Sequence, residues 1–299
     1  MSGHTSNPGM MLEGWAAVLQ PFLRKHILVS TFLNNLYLCW MLKRFQFALR
    51  YLKYWLKAKT KTESDFVNEL INDVFKSKQQ YYDFKEIEGI RSALKKNYST
   101  IKITDFGAGS TINSSSERKV SDIATHSAKS PRIGQIMFRL VNKFQPKTML
   151  ELGTSLGVSA CYQIGANKSA QFTTLEGCPE TAKIARKVLS KFNADHTVIK
   201  VGDFKKTLPE FLHSQPHLDY VFFDGNHQKD ATVKYFHQCL EKSHKDSIFI
   251  FDDIHWSKGM EEAWHQIKSH PSVTITIDIF WVGIVFFQKN HPVSHFTIK

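Results

Sequence analysis

Apolar positions change period along this chain. Between residues 149 and 287, short apolar runs alternate with stretches whose apolar residues recur at helical spacing. Ser130 and Pro131 open the first such helix, with Ile133, Ile136, Met137, Leu140, Val141 and Phe144 on one face. Met149 to Leu152 is then an apolar run interrupted by Glu151. It leads into a turn bearing Gly153 and Gly157, after which Val158 to Ile164 resumes a helical rhythm. Phe172 to Leu175 ends in Glu176, and Pro179 opens a helix carrying Ile184, Ala185, Val188, Leu189 and Phe192. Val198 to Val201 ends in Gly202 and Asp203 and is followed by a helix through Leu212. Tyr220 to Phe223 ends in Asp224, Asp230 to Leu240 is helical, and Ile248 to Phe251 ends in Asp252 and Asp253. Strands alternating with helices predict an α/β fold whose mostly parallel sheet is covered on both faces. The acids fall at strand C-terminal ends, the rim where open α/β sheets bind ligands. Val273, Ile275 and Ile277 precede Val282 to Phe287 by about four residues, too few for a crossover helix. An antiparallel hairpin therefore closes a seven-stranded sheet.

Upstream, Thr62 to Ser77 places Phe66, Leu70, Ile71, Val74 and Phe75 on one helical face, and Phe84, Ile87, Ile90 and Leu94 predict a second helix. ITDFGAGST, Ile103 to Thr111, has the acid and glycines of a nucleotide loop but is followed by polar INSSSERK, and reads as a surface loop. Ile27 to Leu42 is mostly apolar and flanked by basic residues. Its sixteen residues, interrupted by Asn34 and Asn35, fall short of the roughly twenty that span a bilayer. Phe45, Leu49, Leu52 and Leu56 then recur at helical spacing among basic residues, the pattern of an interfacial helix or of a helix packed on protein. Met41 offers an alternative start. These segments divide the chain into a basic, apolar helical segment (1–60), a helical cap with a Ser/Thr-rich loop (61–128) and an α/β domain (129–299).

Charge and cysteine content narrow the function. The net charge is +12, but residues 1–60 hold eight Lys and Arg against Glu13 alone, a net +7 that leaves +5 for the other 239 residues. The α/β body is thus not a nucleic-acid binder by charge, and peripheral membrane association falls to residues 24–59. Cys39, Cys161, Cys178 and Cys239 are widely spaced and read as reduced thiols, so a cytoplasmic chain is expected, with the inner membrane face as the surface residues 24–59 would meet.

Candidate chemistry gathers at the strand ends. The Gly153 turn lets a ligand approach the backbone, and the helix start behind it offers free N–H groups. Glu176, nineteen residues after Gly157, stands where an acid closing the second strand accepts ribose hydroxyls. ELGTSLGVS, LEG, VGDF, DYVFFDGNH and FIFDDIH, together with GQIM at Gly134 to Met137, resemble a class I S-adenosylmethionine-dependent methyltransferase of the catechol O-methyltransferase-like kind. The resemblance covers roughly residues 129–288 and implies a Rossmann-like, doubly wound sheet. It implies that Gly153, Ser159 and the surrounding Glu151, Thr154, Ser155 and Gly157 hold the methionine part of the cofactor. Glu176 would hold the ribose, and Asp203 with Phe204 the adenine side. It also implies that Asp224, Asp252 and Asp253 stand at the positions of a divalent metal such as Mg²⁺. His227 replaces the lysine that those relatives carry three residues after the first aspartate, and would act as base beside Asp224. The expected function is O-methylation of a small-molecule hydroxyl. A nicotinamide-dependent oxidoreductase is disfavoured by the hairpin and the lack of a G-x-G-x-x-G run. An inactive membrane-surface protein with a Rossmann-like domain is the third reading.

Overall fold

The computed structural model describes residues 45–104, 117–289 and 291–299, so Ile27 to Leu42 and most of the Ile103 to Thr111 loop lie outside the described residues. The chain forms two compact units, Met1–Lys53 and Tyr54–Lys299. The described part of the first is the start of helix α1 (45–57), whose Phe45, Leu49 and Leu52 are exposed. No described helix is long and apolar enough to cross a membrane.

In the second unit, α2 (Asp65–Leu70) starts at Ser64, whose hydroxyl accepts the Val67 N–H, and runs directly into a π-helical turn over Ile71–Phe75. One regular helix was expected here. The wider i→i+5 turn, closed by Lys76 N–H on the Ile71 carbonyl, brings the consecutive pairs Leu70–Ile71 and Val74–Phe75 into the core together. Val67 is buried there, while Phe66 is only partly buried and packs edge-on against Phe286 at 5.2 Å. Then follow α3 (Tyr82–Lys95), a short antiparallel pair β1 (Thr100–Lys102) and β2 (Glu117–Lys119), and α4 (Val120–His126).

The α/β part alternates as the apolar runs predict. It comprises α5 (Pro131–Phe144), β3 (Thr148–Leu152), α6 (Val158–Ala166), β4 (Gln171–Glu176), α7 (Pro179–Lys191), β5 (Val198–Val201) and α8 (Phe204–His213). It continues with β6 (Tyr220–Phe223), α9 (Lys229–Leu240), β7 (Ile248–Asp252) and α10 (Lys258–Lys268), then β8 (Ile275–Asp278), β9 (Val282–Phe286) and β10 (Ser294–Thr297). The order across the sheet is β10-β8-β9-β7-β6-β3-β4-β5, parallel except where β9 runs against β7 and β8. The expected hairpin is present. An eighth strand, β10, joins the expected seven and pairs in parallel with β8, and the Lys59 N–H bonds to its Thr297 carbonyl at 2.8 Å.

Alternate residues of the central strands feed two cores, because side chains along a strand point to opposite faces. Met149, Tyr220, Phe222 and Ile250 pack with α2 to α7 on one face. Leu150, Val221, Phe249 and Phe251 pack with α8, α9 and α10 on the other. The helices of residues 61–128 therefore share a core with α5, α6 and the sheet. The sheet reverses its winding between β3 and β6, and the strand ends there open a crevice.

Candidate active site

The crevice is a cavity of about 700 Å³ over the C-terminal ends of β3 to β7, lined among others by Gly153, Ser155, Glu176, Asp203, Phe204, Asp224, His227, Asp252 and Asp253. That volume falls in the range of small-molecule sites. Its floor depends on Gly153, which has φ +102°. A Cβ there would stand 2.6 Å from the Asp224 carbonyl oxygen, so a side chain would push β3 and β6 apart at the point where they must meet.

At one end, Glu176 is held rigidly. One carboxylate oxygen accepts the Ser155 N–H at 2.7 Å and the other the Cys178 N–H at 2.8 Å. Burial raises its pKa, and the backbone donors oppose that rise. Asp203 accepts the Lys205 N–H as the N-cap of α8, and Phe204 beside it presents a ring to the cavity.

Four residues expected at the cofactor do not line the cavity: Glu151, Thr154, Gly157 and Ser159. Glu151 is fully buried, accepting Ser159 Oγ and Gln163 Nε2 on one oxygen and Thr174 Oγ1 on the other, each at 2.7 Å. Thr154 joins that network through Thr174 at 2.6 Å. A charge set inside a buried strand needs internal donors, so these side chains support the loop from beneath. Gly157 sits under Val158 with its missing side chain facing Ala185 on α7.

At the other end stands a cluster that sequence reading located only in part. Asp224, Asp252 and Asp253 converge as expected, and the Lys129 ammonium lies among them. It is 2.8 Å from Asp224 Oδ1 and in closer contact with Asp252 Oδ2, with 15% of the Lys129 side chain, 12% of Asp224 and 2% of Asp252 exposed. Lys129 directly precedes Ser130, whose hydroxyl caps α5, so a buried helix fixes where the lysine starts. Burial alone would lower the lysine's pKa, but the three carboxylates raise it, so it stays charged. Burial likewise pushes carboxyl pKa values up. Against that push, Lys129 holds Asp252 below the usual range, whereas Asp224 is raised and Asp253 reaches about 7 through burial and the neighbouring Asp252. Asp253 has φ +52°, a left-handed backbone conformation, and donates its N–H to the Trp281 carbonyl at 2.7 Å.

His227 completes this end. Its Nε2 is 3.6 Å from Asp224 Oδ1 and its Nδ1 3.9 Å from Asp253 Oδ2, distances too long for hydrogen bonds. Burial lowers its pKa, and Lys129 adds to the effect while Asp252 opposes it. The imidazole is therefore neutral at neutral pH, with a ring nitrogen free to take a proton. Ligand atoms of Asp224, His227 and Asp252 lie within 4.8 Å of one another, a spacing open to metal coordination, but both aspartates of that set already hold the Lys129 ammonium.

Residues 150–254 match a family model described as a methyltransferase domain. Over 128 residues, 42% of this chain, the sequence is 28% identical to a catechol O-methyltransferase of Niastella koreensis, and the match spans 57% of that protein. Among solved structures, an O-methyltransferase from Bacillus cereus in complex with SAH superposes with a TM-score of 0.51 at 18% identity, covering 74% of this chain and 97% of that one. The O-methyltransferase of tomaymycin synthesis from Streptomyces achromogenes, in complex with SAM, gives 0.50 at 17% identity, covering 70% and 91%. Residues 150–254 thus match a methyltransferase domain, and the chain shares its fold with these two O-methyltransferases.

Proposed function

We propose that the chain transfers the methyl group of S-adenosylmethionine to a hydroxyl of a small molecule. The observation that carries this is a single cavity joining a rigid carboxylate and an aromatic wall, Glu176 and Phe204, to a neutral, half-buried histidine, His227. The residues fit the cofactor: Glu176 offers its carboxylate to neighbouring hydroxyls and Phe204 its ring to a flat base. When bound, S-adenosylmethionine supplies an electrophilic methyl group whose bonding pair departs with the sulfur as a neutral thioether. His227 takes the acceptor's hydroxyl proton while that oxygen's lone pair forms the new bond to carbon. Holding the two reactants in line supplies much of the acceleration. The divalent ion expected from sequence does not fit beside Lys129, and no step is assigned to it.

The proposed organisation keeps residues 129–299 as the catalytic part, with residues 61–128 as supporting helices and loop and residues 1–60 as a basic helical segment. Phe45, Leu49, Leu52 and Leu56 are exposed on α1 among Arg50, Lys53 and Lys57, which supports peripheral contact with an anionic membrane.

Calorimetry tests the main reading. S-adenosylmethionine or its demethylated product is expected to bind in the micromolar range or tighter, about −8 kcal/mol, and Glu176→Ala to weaken binding by about 1–3 kcal/mol. Absence of binding, or preference for NAD, would remove the proposal.

A further inference from the structure

We infer that the Lys129 ammonium fills the place of a divalent cation at the acceptor end of the cavity, so that the centre assembles and works without a metal ion. The inference rests on the methyl-transfer reading only for what the centre is used for; its charge arrangement stands independently.

Three carboxylates at one rim repel one another unless a cation or a proton lies between them. Here the cation is covalently part of the chain. Its nitrogen bridges Asp224 Oδ1 and Asp252 Oδ2, the two aspartates that any ion held with His227 would also need. Mg²⁺ requires oxygens at about 2.0–2.1 Å in near-octahedral array. An ion between these two oxygens would coincide with the ammonium, and one beside them would face its positive charge. Withdrawal of the lysine is opposed by its position. It is anchored to the Ser130 cap of α5, a helix that buries eight residues in the core, and it would leave behind a carboxylate that is only 2% exposed.

An ammonium can also take over what an acceptor-binding cation does. Of its three N–H bonds, two meet Asp224 and Asp252, and the third remains for the cavity that Lys129 lines. A hydrogen bond from that donor to the acceptor oxygen favours the ionised form of the hydroxyl, as a metal would. His227, within 4 Å of Asp224, then receives the proton.

The test is a titration of Mn²⁺ into the full chain, with the free ion counted by electron paramagnetic resonance. No one-to-one site is expected in the wild-type chain. Lys129→Ala is expected to gain one, with affinity at least about tenfold above wild type, and Asp252→Asn in that background to abolish it. A one-to-one site in wild type that disappears on Asp252→Asn overturns the inference, as does a folded Lys129→Ala chain that gains no site. Should Lys129→Ala fail to fold, the wild-type and Asp252→Asn titrations still decide. Methyl transfer by wild type should persist in excess EDTA; loss of transfer restored by Mg²⁺ would also overturn the inference. A chain that binds no S-adenosylmethionine by calorimetry would sink the methyl-transfer reading and leave the Mn²⁺ result standing.

Discussion

Glu151 has three hydrogen-bond donors, yet its pKa is about 7 because burial outweighs them. The folded-state value lies above the ordinary 4.5, so the folded protein holds this proton more tightly than the unfolded chain does. Stability from this group is complete below pH 4.5 and is lost as pH rises through about 7, a change of about 3 kcal/mol. In Glu151→Gln the amide oxygen can still accept from Ser159 and Gln163, and the amide nitrogen can donate to Thr174. That variant should fold and lose the decline, read by urea denaturation at about pH 5 and about pH 8. His227 gives a second pH signature. Since burial lowers its pKa below 6.5, transfer should rise through a limb on the acid side of that value. His227→Ala should erase the limb and cut turnover about 10²- to 10⁴-fold; an unchanged profile would leave the mechanism without a base. Asp224 and Asp252 were legible because each closes a fully apolar run, YVFF and IFIF. Lys129 was not, since its partner Asp252 lies 123 residues away and no local period links them. Glu151 was assigned to the cofactor although a signal to the contrary existed. Ser159 and Gln163 stand four apart on α6, one face of a helix, as donors to a charge inside the preceding strand would.

Among the elements, the contact of α5 with α6 turns on Gly134, the first residue of GQIM. A Cβ there would stand 2.3 Å from the Tyr162 ring, which is buried beneath and tied by its hydroxyl to Glu88 at 2.7 Å. Gly134→Ala must therefore separate the two helices or turn the ring, at a cost of about 1–3 kcal/mol. Chemical denaturation would show it, and unaltered stability would mean that the ring has room to move. Because Lys129 leads into α5, the same variant should also disturb the carboxylate cluster. Helices and buried strands were readable wherever the period was long or the run continuous. The π-helical turn was not, because Leu70–Ile71 and Val74–Phe75 suit a regular helical stripe as well as a widened one. β10 was missed for a different reason: SHFT is polar and only partly buried, and its pairing with β8 comes from tertiary context.

At the scale of the whole molecule, six of the eight Lys and Arg among residues 1–60 lie in residues 1–53. The unit boundary at Lys53 and Tyr54 leaves every cavity-lining residue in the second unit. Full-length chain should float with anionic vesicles, and binding should fall as salt rises, because Lys and Arg attraction is screened over about 10 Å at 0.1 M salt. Deleting residues 1–53 should abolish flotation and leave S-adenosylmethionine affinity unchanged. Flotation that survives the deletion would place the lipid contact elsewhere.

Within the second unit, the Tyr54 hydroxyl donates to the Ile298 carbonyl, Lys59 pairs beside that residue, and the Lys299 N–H bonds to the Lys59 carbonyl at 3.1 Å. Segments about 240 positions apart along the chain thus lie side by side, at an edge of the sheet remote from β3 and β6. For protein engineering this makes the unit a candidate for circular permutation: residues 299 and 54 can be joined by a short linker and the chain reopened between the exposed Lys245 and Asp246. The strand ends around the cavity would keep their neighbours, while the order in which they leave the ribosome would change, separating what the fold requires from what its order of synthesis contributes.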